Sequence, residues 1–222
     1  MPQFAVILPA GGSSSRFGGG RNKLLQTLGG QSVLMHSVQA FVDRADVPLI
    51  VIPAPPEFDF PHYRAKVRLC PGGSSRAHSV YNALQYVPLP IEWVAIHDAA
   101  RPLVCRELID RTLAAAVEHG AAVPALPVSV TIKQAAGPLP AKVQHTVPRQ
   151  DLWAMQTPQI MRCRTLLRAF ENCPLPLDQI TDDAQLLELI GQEVWLVPGE
   201  EGNLKITTAL DLKIALLLLD DP

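Results

Sequence analysis

The sequence predicts an α/β fold in which a mostly parallel sheet carries helices on both faces and a protruding β-arm. Short apolar runs alternate with stretches of helical period, and one segment alternates with a period of two. Prolines number 21 against 14 glycines, and because an interior proline breaks a helix, this count argues against a helical bundle. At ~100–200 residues per domain, a chain of 222 residues is expected to form one domain, residues 1–222, with the arm as an appendage.

Five short apolar runs predict buried strands, because of their brevity and the proline or glycine around them. These runs cover residues 4–8, 49–52, 93–96, 121–128 and 194–197. Apolar residues at helical spacing lie between the runs and predict the crossover helices. They fall within residues 33–41, 80–87, 108–117, 166–170 and 186–190. This alternation is typical of a sheet covered on both faces.

A last helix is predicted over residues 210–219. Thr208 precedes this helix and stands three residues before Asp211 in its first turn, as in a capping box. The apolar end of this helix, residues 214–219, is too short to span a bilayer and is expected to pack on the core.

Residues 128–147 alternate in two blocks around the segment 136–140, which predicts a β-hairpin. Val130 and Ile132 share one face of the first block, and Val143 and Val147 share one face of the second. An isolated hairpin is marginal in water, so this apolar face is expected to pack on something else. Two alternatives stay open: the parent domain, or a second copy of the chain through arm exchange in a twofold dimer.

The charge and cysteine content exclude some partners. Lysine and arginine number 19 against 21 acidic residues, so a net charge of −2 gives no broad basic field for nucleic acid or an anionic membrane. No apolar run approaches the ~20 residues that a bilayer requires. The four cysteines lack C-x-x-C spacing, which fits a reducing compartment. We therefore expect a cytoplasmic protein with neither a membrane nor a nucleic acid partner.

A loop rich in glycine and serine follows the first predicted strand, where open α/β sheets bind ligands. Its backbone N–H groups can surround a phosphate, and Arg16 and Lys23 add positive charge. Lys23 lies between Asn22 and Leu24, so the loop is not a Walker A motif, and the dinucleotide and nucleophile-elbow motifs are also missing. A bound nucleoside triphosphate is the favoured interpretation, and a flexible loop with two solvated cations is the alternative.

The third predicted strand is followed by His97 and Asp98, and Arg101 comes three residues later. Mg²⁺ commonly takes one or two carboxylates and completes its shell with phosphate oxygens and water, so Asp98 is a candidate magnesium ligand. The alternative is an ion pair between Asp98 and Arg101 that closes a turn. The six histidines show no metal-binding spacing, so a zinc site is not expected. His97 is expected to be structural because it ends a buried strand, and a catalytic role beside Asp98 is the alternative.

A glycine and serine turn at residues 71–80 lies between a strand and a helix. Its backbone and Ser79 could face a base or a ribose, or Ser74 or Ser75 could cap the helix.

Together these motifs resemble those of the 2-C-methyl-D-erythritol 4-phosphate cytidylyltransferase family over residues 8–212. The matching segments are Pro9 to Gly12 with Arg16 and Lys23; Gly72-Gly73, Arg76-Ala77 and Ser79-Val80; His97 to Pro102; Thr131 with Lys133; His145 to Val147 with Arg149; Thr157 to Gln159; Thr181-Asp182; and Asn203 to Thr207 with Asp211-Leu212. The resemblance implies a transferase that joins CTP to a polyol phosphate and releases pyrophosphate, with Mg²⁺. It also implies a Rossmann-like nucleotidyltransferase fold and a homodimer formed by exchange of the β-arm.

The resemblance also implies roles for individual residues. The catalytic cations facing the triphosphate would be Arg16, Lys23 and Lys205. The nucleotide would be contacted by Ala10, Gly11, Gly12, Gly73, Ser79 and Ala99. Mg²⁺ would be held by Asp98. The acceptor phosphate would be oriented by Asp98, Arg101, Thr131, Thr157, Thr181 and Arg149 of the partner subunit.

Two other functions stay open at this point. Ribitol 5-phosphate cytidylyltransferases share most of the nucleotide motifs, so the acceptor could be ribitol 5-phosphate. A nucleotide-binding protein without catalysis is the alternative from a different class. Its support is the segment Asn22-Lys23-Leu24, where the family usually has proline, lysine and glutamine.

Overall fold

The protein is described here by a computed structural model that covers residues 1–11, 17, 22–54, 58, 60 and 63–220. Arg16 and Gly12 lie outside these residues. The strands of the described chain are β1 (Phe4–Ile7), β2 (Thr27–Leu28), β3 (Gln31–Ser32), β4 (Leu49–Pro53), β5 (Val67–Cys70), β6 (Trp93–Ile96), β7 (Ala121–Pro127), β8 (Ile132–Ala135), β9 (Val143–Val147), β10 (Trp153–Met155), β11 (Gln159–Arg162) and β12 (Trp195–Pro198). Its α-helices are α1 (Val33–Val42), α2 (Arg76–Leu84), α3 (Arg106–His119), α4 (Cys163–Glu171), α5 (Asp183–Leu189) and α6 (Ala209–Asp220).

The main sheet runs in the order β5, β4, β1, β6, β11, β7 and β12, with β10 also paired to β7. The pairs β5–β4, β4–β1, β1–β6 and β7–β12 are parallel, which confirms the mostly parallel sheet. In contrast, β11 is antiparallel to both β6 and β7, and β10 is antiparallel to β7. Two short strands of this sheet, β10 and β11, were not predicted from the sequence.

Two apolar cores cover the two faces of the sheet. Alternate residues of β1 point to opposite faces, so Phe4 and Val6 pack with α1 and α3 while Ala5 and Ile7 pack with α2, α4 and α5. Every residue of β1 is fully buried. The predicted arrangement with helices on both faces is therefore confirmed.

Two predicted helix caps are present. The Ser75 hydroxyl accepts a hydrogen bond from His78 N at 3.2 Å at the start of α2. At α6, Thr208 Oγ1 accepts from Asp211 N at 3.2 Å, and Asp211 Oδ2 accepts from Thr208 N at 2.7 Å. This reciprocal pair is the capping box that the sequence predicted.

The prediction that residues 214–219 pack on the core is wrong for most of them. Ala215 is buried and Leu219 packs against the core in part. Ile214, Leu216 and Leu217 are exposed, Leu217 by 71%. The segment is apolar around its whole circumference, so a helix lying on the protein surface can bury only one of its faces.

The strands β8 and β9 form a separate antiparallel sheet, as predicted for the arm. Its first strand begins at Ile132 rather than at residue 128, and Ile132 pairs with Val147. Val130 and Val143 stay exposed, by 63% and 51%. The described chain therefore leaves Val130 and Val143 uncovered, whereas Ile132 and Val147 are partly buried. None of the described helices combines the length and the apolar character needed to cross a membrane.

Candidate active site

Asp98 follows β6 and lies at the centre of a group of cations. Its Oδ2 atom is 2.9 Å from Lys205 Nζ and 3.5 Å from Arg101 Nε, and its Oδ1 atom is 3.4 Å from Arg76 Nε. Burial raises the pKa of Asp98, but Arg76, Lys205 and Arg101 outweigh this effect and hold the pKa well below its usual range. Asp98 is therefore a carboxylate at neutral pH. These four side chains are called the Asp98 centre below.

The ion pair between Asp98 and Arg101 exists, as the structural alternative supposed. It does not exclude a functional role, because two cavities of the described chain meet at the Asp98 centre. The first has a volume of about 400 Å³ and the second about 310 Å³. Arg76, Asp98 and Lys205 line both cavities. A group transferred from a ligand in one cavity to a ligand in the other would pass this border.

The first cavity lies beyond the carboxyl ends of β1 and β6, where the sequence predicts nucleotide binding. The predicted residues that line it are Lys23, Gly11, Gly73, Ser79, Ala99 and Lys205. Ala10 does not line the cavity; it is buried, and its backbone N–H donates to Pro53 O at 3.1 Å. The predicted contacts of Gly12 and Arg16 fall on residues outside the described part of the chain.

Gly73 must be a glycine for steric reasons. A Cβ atom there would lie 2.7 Å from the backbone carbon of His78 and 2.9 Å from Ser79 N. The Ser79 hydroxyl accepts from Gly73 N at 2.9 Å and donates to Ser75 O at 2.9 Å. Ser79 thus fixes the turn while also lining the cavity, so capping by Ser75 and a place for this turn in the site are compatible.

Lys205 is placed by a turn that neighbouring segments hold firmly. Asn203 is buried, and its Nδ2 atom donates to Thr157 O at 2.8 Å. Arg101 Nη1 donates to Asn203 O at 2.7 Å, and Ile206 N donates to Ala100 O at 2.8 Å. These bonds on both sides of Lys205 direct its ammonium group to Asp98.

His97 and Thr157 fix the backbone of Asp98. Thr157 Oγ1 accepts from Asp98 N at 3.0 Å and lies 3.0 Å from His97 Nδ1, while His97 Nε2 lies 3.0 Å from Arg101 O. His97 is completely buried, and burial lowers its pKa to about 4, so the ring is neutral at pH 7. Because a carbonyl can only accept, Nε2 carries the proton and Nδ1 accepts the Thr157 hydroxyl hydrogen.

This assignment bears on the predicted acceptor contact of Thr157. Its hydroxyl hydrogen is engaged by His97, so the side chain has no hydrogen left to donate to an acceptor phosphate. It lines the second cavity together with Arg101 and Thr181, as expected for acceptor-binding residues. Its hydroxyl contacts both His97 and Asp98 N at 3.0 Å and so helps to fix Asp98, while its contact with the acceptor stays a prediction.

Two predicted acceptor-binding residues do not reach either cavity within one chain. Thr131 and Arg149 are exposed beside the hairpin, and Arg149 Nη1 donates to Ser129 O. For Arg149, the family resemblance places the contact in the neighbouring chain of a dimer. The roles of both residues remain predictions.

The sequence analysis did not assign a role to Arg76, Gln159 or Asp183. Arg76 Nη2 is 2.8 Å from Asp183 Oδ2, and Gln159 Oε1 accepts from Asp183 N at 3.0 Å. The signal for Arg76 was a cation directly after the glycine and serine turn. Gln159 stands in the matching segment Thr157 to Gln159 without an assigned role, and Asp183 carries no signal, because both act through contacts between β11 and α5.

A metal ion would find few protein ligands here. Among the described residues, no group of three or more histidine, cysteine or acidic side chains could hold a metal ion. Asp98 offers one carboxylate at the border of the cavities, which fits Mg²⁺ only if phosphate oxygens complete the coordination shell.

Comparisons with known proteins agree with this geometry. The family model for 2-C-methyl-D-erythritol 4-phosphate cytidylyltransferase (IspD) matches residues 4–221. A relative of that name from Symbiobacterium thermophilum is 42% identical over 98% of this chain and 93% of its own length. The chloroplastic relative from Oryza sativa is 34% identical over 98% of this chain and 74% of its own length.

Solved structures give the same result. The crystal structure of 2-C-methyl-D-erythritol 4-phosphate cytidylyltransferase from Thermus thermophilus is 34% identical with a TM-score of 0.79, covering 99% of this chain and 100% of that chain. The Francisella tularensis structure is 30% identical with a TM-score of 0.83, covering 96% and 98%. The chain therefore belongs to the 2-C-methyl-D-erythritol 4-phosphate cytidylyltransferase family.

Proposed function

We propose that this protein, a cytidylyltransferase of isoprenoid biosynthesis by its family, joins CTP to 2-C-methyl-D-erythritol 4-phosphate in a reaction supported by Mg²⁺. The observation that carries this proposal is the border between the two cavities, where Arg76, Asp98 and Lys205 line both. An acceptor phosphate oxygen attacks the α-phosphorus of CTP and forms a new P–O bond. The bond from that phosphorus to the bridging oxygen breaks, and pyrophosphate leaves with the electron pair.

The side chains of the site suit this reaction. A phosphate is already an anionic nucleophile near neutral pH, so no general base is required, and catalysis consists of alignment and charge stabilisation. Lys23 lines the first cavity and Lys205 lines both, so their positive charges can offset the charge that accumulates during transfer. Asp98 orients Lys205 from 2.9 Å and keeps its ammonium group at the border.

We assign Asp98 as the protein ligand of Mg²⁺. One carboxylate is enough for this ion when the triphosphate provides further oxygens. When bound, Mg²⁺ supplies positive charge to the phosphates. Because Asp98 already faces three protein cations, we expect the ion to bind with the nucleotide rather than before it.

We also propose that two chains associate through the hairpin of β8 and β9. The exposed Val130 and Val143 support this, because an apolar hairpin face left in water gains stability from a partner surface. In such a dimer, Arg149 of the partner subunit would approach the acceptor cavity.

A cytoplasmic location is proposed on two grounds. All four cysteines are free thiols, and burial raises the pKa of Cys70 to about 11 and that of Cys163 to about 12, so both are unreactive. The net charge of −2 supports neither a nucleic acid nor a membrane partner.

The test is an acceptor panel with CTP and Mg²⁺, measured as pyrophosphate release. We expect release with 2-C-methyl-D-erythritol 4-phosphate and little with ribitol 5-phosphate, which the comparisons do not favour. Removal of Mg²⁺ with EDTA should abolish release, and added Mg²⁺ should restore it. Release with ribitol 5-phosphate but not with 2-C-methyl-D-erythritol 4-phosphate would contradict the proposed acceptor. Tight binding of CTP without turnover on any acceptor would indicate a nucleotide-binding protein without catalysis.

A further inference from the structure

We propose that Arg76 is a positioning residue that couples the two cavities, and that the buried carboxylate of Asp183 anchors it there. The inference rests on the proposed function, because it concerns how the two substrates of that reaction are aligned. The motifs of the sequence assign no role to either residue.

The two residues begin the helices that border the two cavities. Arg76 is the first residue of α2 and directly follows the turn that lines the first cavity. Asp183 is the first residue of α5 and directly follows Thr181 and Asp182, which line the second cavity. The ion pair of 2.8 Å between Arg76 and Asp183 therefore joins the two bordering segments.

Asp183 is a strong anchor because its side chain is fully buried. Among the described residues, Arg76 is the cation that pairs with this carboxylate. The pKa of Asp183 is raised overall, because burial raises it and the nearby Arg76 offsets that effect only in part. Removing one partner of a buried ion pair leaves an uncompensated charge, so the position of the guanidinium is tightly fixed.

A second nitrogen of the same guanidinium, Nε, faces Asp98. Arg76 Nε is 3.4 Å from Asp98 Oδ1, whereas Lys205 Nζ is 2.9 Å from Oδ2. Arg76 thus engages one carboxylate oxygen and leaves the other to Lys205 and Arg101. The planar fork of an arginine can reach Asp183 and Asp98 together, which the single ammonium group of a lysine does less well.

A purely structural role predicts something different. If the pair between Arg76 and Asp183 only held α2 against α5, its loss would lower stability and leave substrate affinities unchanged. Arg44 provides a control for that case. It is also a partly buried arginine, it pairs with Asp46 at 2.8 Å and Asp110 at 2.6 Å, and it lines neither cavity.

The experiment compares Arg76→Gln, Arg76→Lys, Asp183→Asn and the double variant Arg76→Gln/Asp183→Asn with Arg44→Gln and Arg44→Lys. The readouts are kcat/KM for CTP and for the acceptor, the Kd for CTP by calorimetry, and the melting temperature. We expect Arg76→Gln to lower both kcat/KM values at least tenfold, and Arg76→Lys to recover stability with little activity. Asp183→Asn should give a smaller loss of the same kind. The double variant should be no worse than Arg76→Gln, because the two residues act as a unit.

The Arg44 variants should lower the melting temperature without changing the kinetics. Additive losses in the double variant, or kinetics for Arg76→Gln within twofold of its Arg44 control, would overturn the proposal. If Arg76→Gln does not fold, the kcat/KM values and the Kd for CTP of Arg76→Lys test the proposal instead. If the wild type binds CTP but shows no turnover, the proposed function fails, and the Kd for CTP still tests Arg76. A tenfold weaker Kd in Arg76→Lys supports the coupling, and an unchanged Kd overturns it.

Discussion

The Asp98 centre and the hairpin of β8 and β9 differ in how their side chains are held. Asp98 has cations on both carboxylate oxygens, and hydrogen bonds from neighbouring segments fix its backbone and that of Lys205. Within the described residues, the strands of the hairpin pair only with each other, and Val130 and Val143 stay exposed. One chain thus brings the Asp98 centre together, whereas it leaves apolar side chains at the hairpin exposed. Changes at the centre should therefore affect chemistry, and changes at the hairpin should affect assembly.

The largest effect is expected for the cations of the site. Lys23→Ala and Lys205→Ala should each lower kcat/KM by about 100-fold or more, because each removes charge that faces the phosphates. Stability should change little, since neither lysine is buried. Pyrophosphate release measures the effect, and Lys213→Ala on the exposed surface of α6 is the matched control. Near-normal kcat in either variant would contradict the proposed roles and weaken the contrast with the hairpin.

The next effect concerns stability and pH through His97. Its pKa in the folded protein is about 4 and that of an unfolded chain about 6.5, so the unfolded state binds the proton more readily. The contribution of His97 to stability is complete above pH ~6.5 and falls by about 3 kcal/mol as the pH approaches 4. The free energy of unfolding, measured with urea across this pH window, should change less with pH in His97→Gln than in the wild type. His145→Gln, on the exposed strand β9, should retain the wild-type slope. Equal slopes in wild type and His97→Gln would exclude this account.

A smaller effect is expected for Thr157→Val. The variant leaves the buried Asp98 N–H without its acceptor, which costs about 1–3 kcal/mol of unfolding free energy. Because Asp98 shifts, kcat/KM should also fall, by about tenfold, which is about 1.4 kcal/mol. The control is Thr112→Val, which loses a buried bond to Leu108 O far from both cavities. It should lose stability alone. Unchanged turnover in Thr157→Val would show that Asp98 is held by other contacts.

The smallest effect lies at the hairpin. Val143→Lys should raise the Kd of the dimer about tenfold, because a charge is placed in an apolar contact. Leu89→Lys changes an exposed leucine outside the hairpin and should leave the Kd unchanged. Sedimentation equilibrium measures both. If the wild-type chain is a monomer at all concentrations, the proposal that two chains associate through the hairpin is contradicted.

The sequence predicted the parts of the molecule that follow one local pattern. The run at 93–96 became β6 with the predicted bounds, and the spacing of Thr208 and Asp211 gave the expected cap. Lys23 and Lys205 both line the predicted cavity, although they are 182 residues apart, because they follow different strands that share one edge of the sheet.

The sequence could not predict features that depend on contacts between distant segments. The position of β11 between β6 and β7 brings Thr157 to Asp98, and no local pattern reveals it. The pair of Arg76 and Asp183 depends on packing between α2 and α5. For the apolar C-terminal segment, the sequence predicted more burial than the structure shows, because hydrophobicity does not say which face of a helix is covered.

The most direct test of the account is the turnover of Asp98→Asn. Asparagine keeps the size of the side chain and removes the charge that Arg76, Arg101 and Lys205 face. With saturating CTP and 2-C-methyl-D-erythritol 4-phosphate, pyrophosphate release should fall at least about 100-fold while circular dichroism still shows a folded protein. A folded Asp98→Asn variant that releases pyrophosphate at the wild-type rate would contradict the claim that this centre carries the reaction.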